Sequence, residues 1–229
     1  MAVAMIWGSP GSGKTVAATA PRNKKIELLC SDNSSVVLNM FERPNVKITR
    51  VEHWLRQGGE EDANYFSAQF QQALKNGADL IVIDNLTDLK ELGLLEIEEE
   101  GHIKDIRQIY LAMYTGIKRL TRLAANAKVD VTFTAWDFSE EFTKRDGTIG
   151  LRMMPNLPKK ILPQVLGLCN VVGQMAKAPD KNGTMRWFLI TEDAETRYGC
   201  KDQLYGRKTV MPEDLFEPPK KKSKEADPA

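Results

Sequence analysis

Short apolar runs alternate along the chain with segments in which apolar residues recur every three or four positions. The runs lie at residues 2–7, 26–30, 46–51, 78–84 and 129–135. Each is typical of a strand, and the run at 46–51 is weaker because it is half polar. Residues 65–74 and 106–124 have helical spacing and one apolar face. The alternation predicts an α/β fold in which helices flank a mostly parallel sheet.

The C-terminal third has a different pattern. Two further apolar runs, at 166–175 and 185–191, are separated by the turn signal Asn182-Gly183. Because Asn-Gly favours tight hairpin turns, the pair predicts a C-terminal antiparallel hairpin. Residues 137–160 are expected to be irregular, with a hairpin turn at Asp146-Gly147.

The chain ends in a polar segment. Residues 218–229 contain four lysines, three prolines and no large apolar residue, so they cannot bury enough surface to fold. The sequence therefore predicts a core domain over 1–207 and a C-terminal extension over 208–229 with a disordered basic tail.

A phosphate-binding pattern follows the first apolar run. The sequence Gly-Ser-Pro-Gly-Ser-Gly-Lys-Thr fits the P-loop at every position, between a predicted strand and residues that can begin a helix. Glycines let backbone N–H groups turn towards phosphate oxygens. Lys14 can reach the β- and γ-phosphates, and the Thr15 hydroxyl can bind Mg²⁺. The predicted ligands are thus ATP and Mg²⁺. The predicted nucleotide-binding residues are Gly8, Ser9, Pro10, Gly11, Ser12, Gly13, Lys14 and Thr15.

An acid ends the apolar run at 78–84. Asp84 lies where a strand carboxyl end can hold Mg²⁺ directly or through water. This position predicts that Asp84 and Thr15 form the metal site and that Asp84 and Lys14 act in catalysis. The alternative is a turn aspartate after a buried strand.

The spacing of these motifs narrows the class of P-loop protein. The interval leaves room for two strands and two helices, which is typical of a RecA-like core and too long for the simplest nucleotide kinases. Four segments carry a closer resemblance: the P-loop with Trp7 before it, Ile-Val-Ile-Asp-Asn-Leu-Thr around Asp84, Phe-Thr-Ala-Trp from Phe133, and Thr-Arg-Tyr-Gly-Cys-Lys-Asp from Thr196. Over residues 1–205 the chain resembles the small, core-only RecA-like ATPases of phages that are associated with single-strand annealing and recombination (the Sak-four type).

The resemblance implies an activity and partners. It implies a RecA-like ATPase that acts on single-stranded DNA, assembles as a ring or filament, and has a single-strand binding protein as a further partner. It also implies that Arg197, ahead of Lys201, reaches the ATP of a neighbouring subunit and stabilises the transferring phosphoryl group. A surface salt bridge is the alternative role for these cations.

Three positions depart from the family pattern. Trp136 stands where the family usually has histidine, and an indole cannot accept a proton. The family often has Asp-x-Glu after the second strand, and here Asp32 in Ser-Asp-Asn is the nearest candidate base. Gln203 replaces the arginine of a closing Lys-Asp-Arg. These departures leave open a nucleotide-gated adaptor or loader that hydrolyses little. A nucleotide kinase is less favoured, because no arginine-rich lid is present.

The resemblance places a DNA-binding loop over residues 137–160. Five basic residues accompany a single acid between 142 and 160, and such an excess can neutralise phosphates. The alternative is a solvated hairpin with ordinary surface charges. The predicted DNA-binding residues are Lys144, Arg145, Arg152, Lys159 and Lys160.

Composition excludes other classes of partner. The 32 basic and 31 acidic residues nearly balance, so no overall charge draws the chain to nucleic acid or lipid. The three cysteines lack metal-ligand spacing and suggest reduced thiols. No apolar run approaches the roughly 20 residues of a membrane helix. We therefore expect a cytoplasmic protein without a membrane partner.

Overall fold

The computed structural model describes residues 1–53, 66–100, 105–144 and 146–219. Its strands are β1 (Val3–Trp7), β2 (Ile26–Cys30), β3 (Val46–Arg50), β4 (Leu80–Asp84), β5 (Asp130–Ala135), β6 (Asp137–Thr143), β7 (Ile149–Pro155), β8 (Val171–Pro179), β9 (Met185–Ile190), β10 (Lys201–Asp202) and β11 (Thr209–Val210). Its α-helices are α1 (Lys14–Ala18), α2 (Phe66–Lys75), α3 (Leu86–Glu100), α4 (Ile106–Ala125) and α5 (Leu162–Leu168). Short 3-10 helices lie at Ser34–Met40 and Pro212–Asp214.

The main sheet has a parallel centre and an antiparallel edge. Strands β8, β1, β5, β4, β2 and β3 lie side by side in that order and run parallel. Strand β9 pairs antiparallel with β8, and β11 with β9, which extends the sheet beyond β8. Strand β10 pairs antiparallel with the beginning of β8. The predicted parallel α/β sheet with a C-terminal hairpin is confirmed.

The side chains of β1 alternate between two hydrophobic cores, one on each face of the sheet. Val3, Met5 and Trp7 pack into the core that helices α2 to α5 cover. Ala4 and Ile6 pack into the second core, which α1 and the 3-10 helix after β2 cover. Every residue of β1 is buried, as expected for a central strand whose side chains alternate between two covered faces.

The register brings the functional ends of the strands together. Trp7 at the end of β1 lies opposite Ala135 of β5, and Cys30 of β2 lies opposite Asp84 of β4. Because parallel strands share a carboxyl edge, the loops after β1, β2, β4 and β5 gather there. In open α/β sheets, ligands bind at this edge.

Two local expectations were wrong. Residues 166–168 belong to α5 instead of to a strand, because Pro163 begins a helix whose Leu162, Val165 and Leu166 are buried. The segment 137–160 is regular over most of its length: β6 and β7 pair antiparallel from Asp137↔Pro155 to Thr143↔Ile149.

The chain after 207 packs on the core as far as it is described. Arg207 donates to the carboxylate of Asp202 and to the carbonyls of Asp214, Leu215 and Glu217. Leu215 is fully buried in the core on the α1 side. Of the expected basic tail, 218–229, residues 220–229 lie outside the described residues. Within the described ranges, no helix has the length and apolar character needed to cross a membrane.

Candidate functional site

The P-loop connects β1 to α1 at the carboxyl edge of the sheet. Its backbone is tied to β5, because the N–H of Gly8 donates to the carbonyl of Ala135 at 3.2 Å. Gly11 and Gly13 have φ angles of 74° and 90°, which favour glycine. The Ser12 hydroxyl is buried without a hydrogen-bond partner in the described residues. A buried hydroxyl of this kind indicates that the loop is shaped for a polar ligand.

Lys14 is folded back over its own loop. Its side chain is 6% exposed, and Nζ donates to the carbonyls of Gly8 and Ser9, each at 2.9 Å. Burial lowers the pKa of Lys14, while the carboxylates of Asp84, Asp137 and Asp32 act in the opposite direction. The effect of burial is therefore the larger one, and the three acids partly offset it.

Asp84 accepts hydrogen bonds from three hydroxyl groups. Thr15 and Ser34 donate to Oδ2 at 2.6 and 2.7 Å, and Thr134 donates to Oδ1. The residue is 1% exposed, and this burial raises the pKa of the carboxyl group against the effect of the hydroxyls. The structure thus brings Asp84 and Thr15, the two predicted metal ligands, into direct contact.

Asp32 lies in the same cavity, which has a volume of about 460 Å³ and is also lined by Lys14, Asp84 and Trp136. Its carboxylate accepts from the backbone N–H of Ser34 at 2.7 Å and from Asn85 Nδ2 at 2.8 Å. The side-chain oxygen Oδ1 of Asn85 in turn accepts from the backbone N–H of Asp88, so the side-chain amide of Asn85 has a fixed orientation. The predicted base is therefore held in one direction, next to Asp84.

A hairpin, β6–β7, begins one residue after β5. The Ser9 hydroxyl of the P-loop donates to Oδ2 of Asp137, the first residue of β6, at 2.7 Å. At the other side of its base, Met153 N donates to Thr196 O, and Tyr198 N donates to Met153 O. The hairpin is thus attached both to the P-loop and to the segment that carries Arg197.

The five predicted DNA-binding residues differ in their surroundings. The Arg152 guanidinium lies 4.3 Å from the Phe142 ring centroid and donates to the Glu195 carbonyl. Lys159 pairs with Glu140. In the described part of the chain, neither Lys144 nor Lys160 forms an ion pair. Arg145 lies outside the described residues.

Arg197 is not brought into the cavity of its own chain. Its backbone bonds to Ala194, and Nε is buried without a partner in the described residues. The side chain is half-buried near Cys200 and Glu192. A role for Arg197 at a phosphate therefore requires the site of another subunit.

The family follows from a comparison that spans most of the chain. A model of the AAA domain (AAA_24) matches residues 2–202. The chain belongs to this AAA domain family. With its strand order and P-loop, this AAA domain has a RecA-like P-loop ATPase fold. No curated protein matches the sequence at a significant level.

Solved structures of similar fold share little sequence with this AAA domain. The flagellar accessory protein FlaH from Methanocaldococcus jannaschii is 11% identical over 91% of this chain and 83% of its own, with a TM-score of 0.45. A KaiC-like protein from Pyrococcus horikoshii OT3 is 12% identical over 85% and 81%, with a TM-score of 0.47. A type III secretion system ATPase of pathogenic bacteria is 13% identical over 76% and 51%, with a TM-score of 0.49. Because these scores lie below 0.5, the fold assignment rests on the topology and the P-loop.

The site has the donor set that a magnesium nucleotide requires. Mg²⁺ prefers oxygen ligands and is commonly held by one or two carboxylates, waters and substrate phosphates. Asp84 and Thr15 supply a carboxylate and a hydroxyl at one point. Lys14 and the unpartnered Ser12 hydroxyl lie on the phosphate side. The described residues contain no cluster of three or more His, Cys, Asp or Glu that could hold a metal alone. One carboxylate and one hydroxyl suit a metal ion whose other ligands are phosphate oxygens and waters.

Sequence reasoning missed two groups around Asp84. Thr134 lies in the Phe-Thr-Ala-Trp segment, and its position on the same face of β5 as Thr132 was a signal for a hydroxyl pointing at the site. Ser34 carried no such signal, because it lies in a 3-10 helix without recognisable periodicity. Both hydroxyls orient the carboxylate that the sequence identified.

Thr134→Val should destabilise the fold, whereas Thr132→Val should not. Both threonines are fully buried on β5. The Thr134 hydroxyl bonds to Asp84 Oδ1, while the Thr132 hydroxyl has no partner in the described residues. Loss of the first leaves a buried carboxylate oxygen unsatisfied, which costs about 1–3 kcal/mol. Urea unfolding of both variants measures the difference, and equal free energies of unfolding would contradict the role of Thr134.

Proposed function

We propose that this AAA domain binds and hydrolyses ATP with Mg²⁺ and couples the nucleotide to single-stranded DNA, in annealing or strand pairing of the phage recombination type. The contact of Thr15 with Asp84, next to Lys14, carries the nucleotide part of the proposal. The attachment of the β6–β7 hairpin to Ser9 of the P-loop supports the coupling.

Each residue at the carboxyl edge has a role in this proposal. Lys14 binds the β- and γ-phosphates and stabilises the charge that develops on them. Asp84 and Thr15 would hold Mg²⁺, which supplies charge neutralisation at the phosphates when it is bound. Asp32 would accept a proton from the attacking water, because its carboxylate lines the same cavity as Lys14 and Asp84.

The proposed assembly is a homo-oligomer, a ring or a filament. The cavity lining contains Lys14 but no arginine among the described residues. A cation from a neighbouring copy would complete the charge stabilisation of phosphoryl transfer, and Arg197 is our candidate. Its guanidinium Nε, buried without a described partner, supports this choice. A single-strand binding protein is the further partner that the resemblance implies.

The hairpin offers a surface for a nucleic-acid strand. Within the described ranges, the side chains of Lys144 and Lys160 have no ion pair and no cation–π contact, whereas Arg152 lies over aromatic rings and Lys159 pairs with Glu140. Ile149 and Leu151 on β7 are exposed, so apolar contact with bases is available beside the charges. Arg152 and Lys159 instead hold the hairpin in shape. We therefore expect Lys144 and Lys160 to make the phosphate contacts.

Lys144, in the turn of the hairpin, and Lys160, beyond its base, give a salt-dependence test. Lys144→Ala combined with Lys160→Ala should reduce the slope of log affinity against log salt by about 1.4, because each phosphate that a cation neutralises on a single strand contributes about 0.7 to that slope. The measurement is binding of a poly-pyrimidine strand at several salt concentrations. Lys75→Ala, which removes an exposed charge at the end of α2, should leave the slope unchanged.

The tail needs a separate control. A chain that ends at Pro219 lacks the tail lysines. If this chain has the reduced slope and the variant that lacks Lys144 and Lys160 does not, DNA binding belongs to the tail and the proposed DNA contacts in the 137–160 segment are wrong. If the parent binds no DNA, only the nucleotide part of the proposal stands.

A nucleotide-gated adaptor that hydrolyses little is the second candidate. Trp136 lines the cavity at the position where the phage ATPases that the chain resembles usually have histidine, and an indole cannot accept a proton. Both oxygens of Asp32 already accept hydrogen bonds, which weakens Asp32 as a base. An assay of ATP hydrolysis with and without single-stranded DNA separates the two functions. Tight ATP binding without turnover in either condition would favour the adaptor.

A further inference from the structure

A large aromatic side chain lies against the P-loop from the antiparallel edge of the sheet. A Cβ atom placed on Gly13 would lie 3.2 Å from Nε1 of Trp187 on β9, so the indole is in contact with the loop. Trp187 is nevertheless 40% exposed. Trp7, which precedes the P-loop in sequence, is fully buried and has no free face.

The strand register shows which way Trp187 points. Met175 of β8 lies opposite Leu189 of β9, and both pack in the core with α1. Side chains two residues away along a strand share a face, so Trp187 and its partner Lys177 lie on the α1 side, above that core. The Lys177 ammonium lies 5.5 Å from the indole centroid. The P-loop thus has an aromatic surface and a positive charge at its β8–β9 side.

The opposite side of the loop has the features of a metal-phosphate end. Strands β5, β4 and β2 lie on that side of β1, and they bring Thr134, Asp84 and the segment with Asp32 to the cavity. A nucleotide whose γ-phosphate and Mg²⁺ lie at Asp84 must extend its ribose and base away from these acids. The β8–β9 side of β1 lies in that direction.

We propose that Trp187 is the surface on which the base of a bound purine nucleoside triphosphate stacks. This inference rests on the proposed nucleotide binding at the P-loop. Stacking uses the π face that every base has, so Trp187 would contribute affinity while reading no hydrogen-bonding edge. The adjacent Lys177 adds a cation near the sugar-phosphate end of the ligand.

The test compares ATP with a ligand that has no base. Trp187→Ala should weaken binding of ATP by about 5- to 150-fold, the range for loss of one base–aromatic stack. Binding of inorganic tripolyphosphate, measured by calorimetry under the same conditions, should not change. Trp187→Phe keeps an aromatic face and should retain most of the ATP affinity, whereas Trp187→Leu keeps apolar volume alone and should not. The matched control is Met185→Ala. Met185 lies two residues from Trp187 on the same strand and is 48% exposed, so this variant should bind ATP with the affinity of the parent.

The outcomes are distinct. An equal loss of ATP and tripolyphosphate binding would mean that Trp187 merely supports the P-loop, which overturns the inference. Unchanged ATP binding in Trp187→Leu would also overturn it. If Trp187→Ala does not fold, the comparison of the Phe and Leu variants decides. A parent that binds neither ATP nor tripolyphosphate would instead refute the proposed nucleotide function itself.

Discussion

Lys14→Ala should weaken ATP binding at least about 30-fold. Nζ of Lys14 lies at the centre of the loop and can exchange the carbonyls of Gly8 and Ser9 for phosphate oxygens. Removing one partner of a buried, hydrogen-bonded charge pair costs about 2–5 kcal/mol, which corresponds to factors of roughly 30 to several thousand. Equilibrium binding of ATP with Mg²⁺ measures the loss.

The fold should survive this change. The Lys14 side chain bonds to carbonyls of the P-loop, so we expect the melting temperature to move by no more than about 2–4 °C, equivalent to roughly 1 kcal/mol for a chain of this size. Lys75→Ala removes the same charge from the exposed end of α2 and should leave ATP affinity unchanged. ATP affinity equal to the parent's in Lys14→Ala would remove the loop from the nucleotide site.

Asp84→Asn should preserve ATP binding and reduce Mg²⁺-dependent hydrolysis about 100-fold. The amide has nearly the shape of the carboxylate but lacks the charge that holds a divalent cation. Preorganised electrostatic groups of this kind are commonly worth 10²–10³ in turnover. Hydrolysis rates at saturating ATP and Mg²⁺ test the expectation. A variant with the parent's turnover would exclude Asp84 from the metal site.

The same variant should be more stable than the parent at neutral pH. Burial raises the folded-state pKa of Asp84 above its ordinary value of about 3.9. Between the unfolded-state pKa and the folded-state pKa of Asp84, the folded protein binds more protons than the unfolded chain does. The free energy of unfolding therefore falls as pH rises through this range. The stability advantage of Asp84→Asn should therefore grow with pH across the window and then level off. Unfolding free energies of both proteins at a series of pH values measure it, and an advantage that shrinks with rising pH would contradict the burial argument.

The strands and the phosphate loop were predictable because local rules determine them. The run at 26–30 is apolar at four of its five positions, and β2 occupies those residues. The P-loop pattern alone predicts phosphate binding, because phosphate geometry requires the glycine spacing and the Lys-Thr pair. Asp84 followed from the rule that ligands bind at the carboxyl ends of parallel strands. These features depend on neighbours in sequence, so the sequence alone was sufficient.

The remaining features depend on residues far apart in sequence. Glu140 lies on β6 outside the segment whose charges were counted, and its pairing with Lys159 reduces the basic excess expected there. Trp187 meets Gly13 across more than half of the chain, and only the order of β1, β8 and β9 brings them together. The sequence pattern predicts a strand where the end of α5 lies, because an apolar run of that length fits either structure.

The junction between β5 and β6 has a mechanical consequence. A single residue, Trp136, separates the two strands, and its N–H bonds to the Thr87 hydroxyl while its carbonyl accepts from Asn156 N. A one-residue junction with both backbone groups bonded allows little independent motion. We therefore expect the hairpin to move as a rigid unit whose base contacts Ser9 and the segment that carries Arg197. A rotation about the base of the hairpin would displace the turn near Gly147 more than it displaces the base. We therefore expect that an ångström-scale shift of the P-loop would move the outer end of the hairpin, near Gly147.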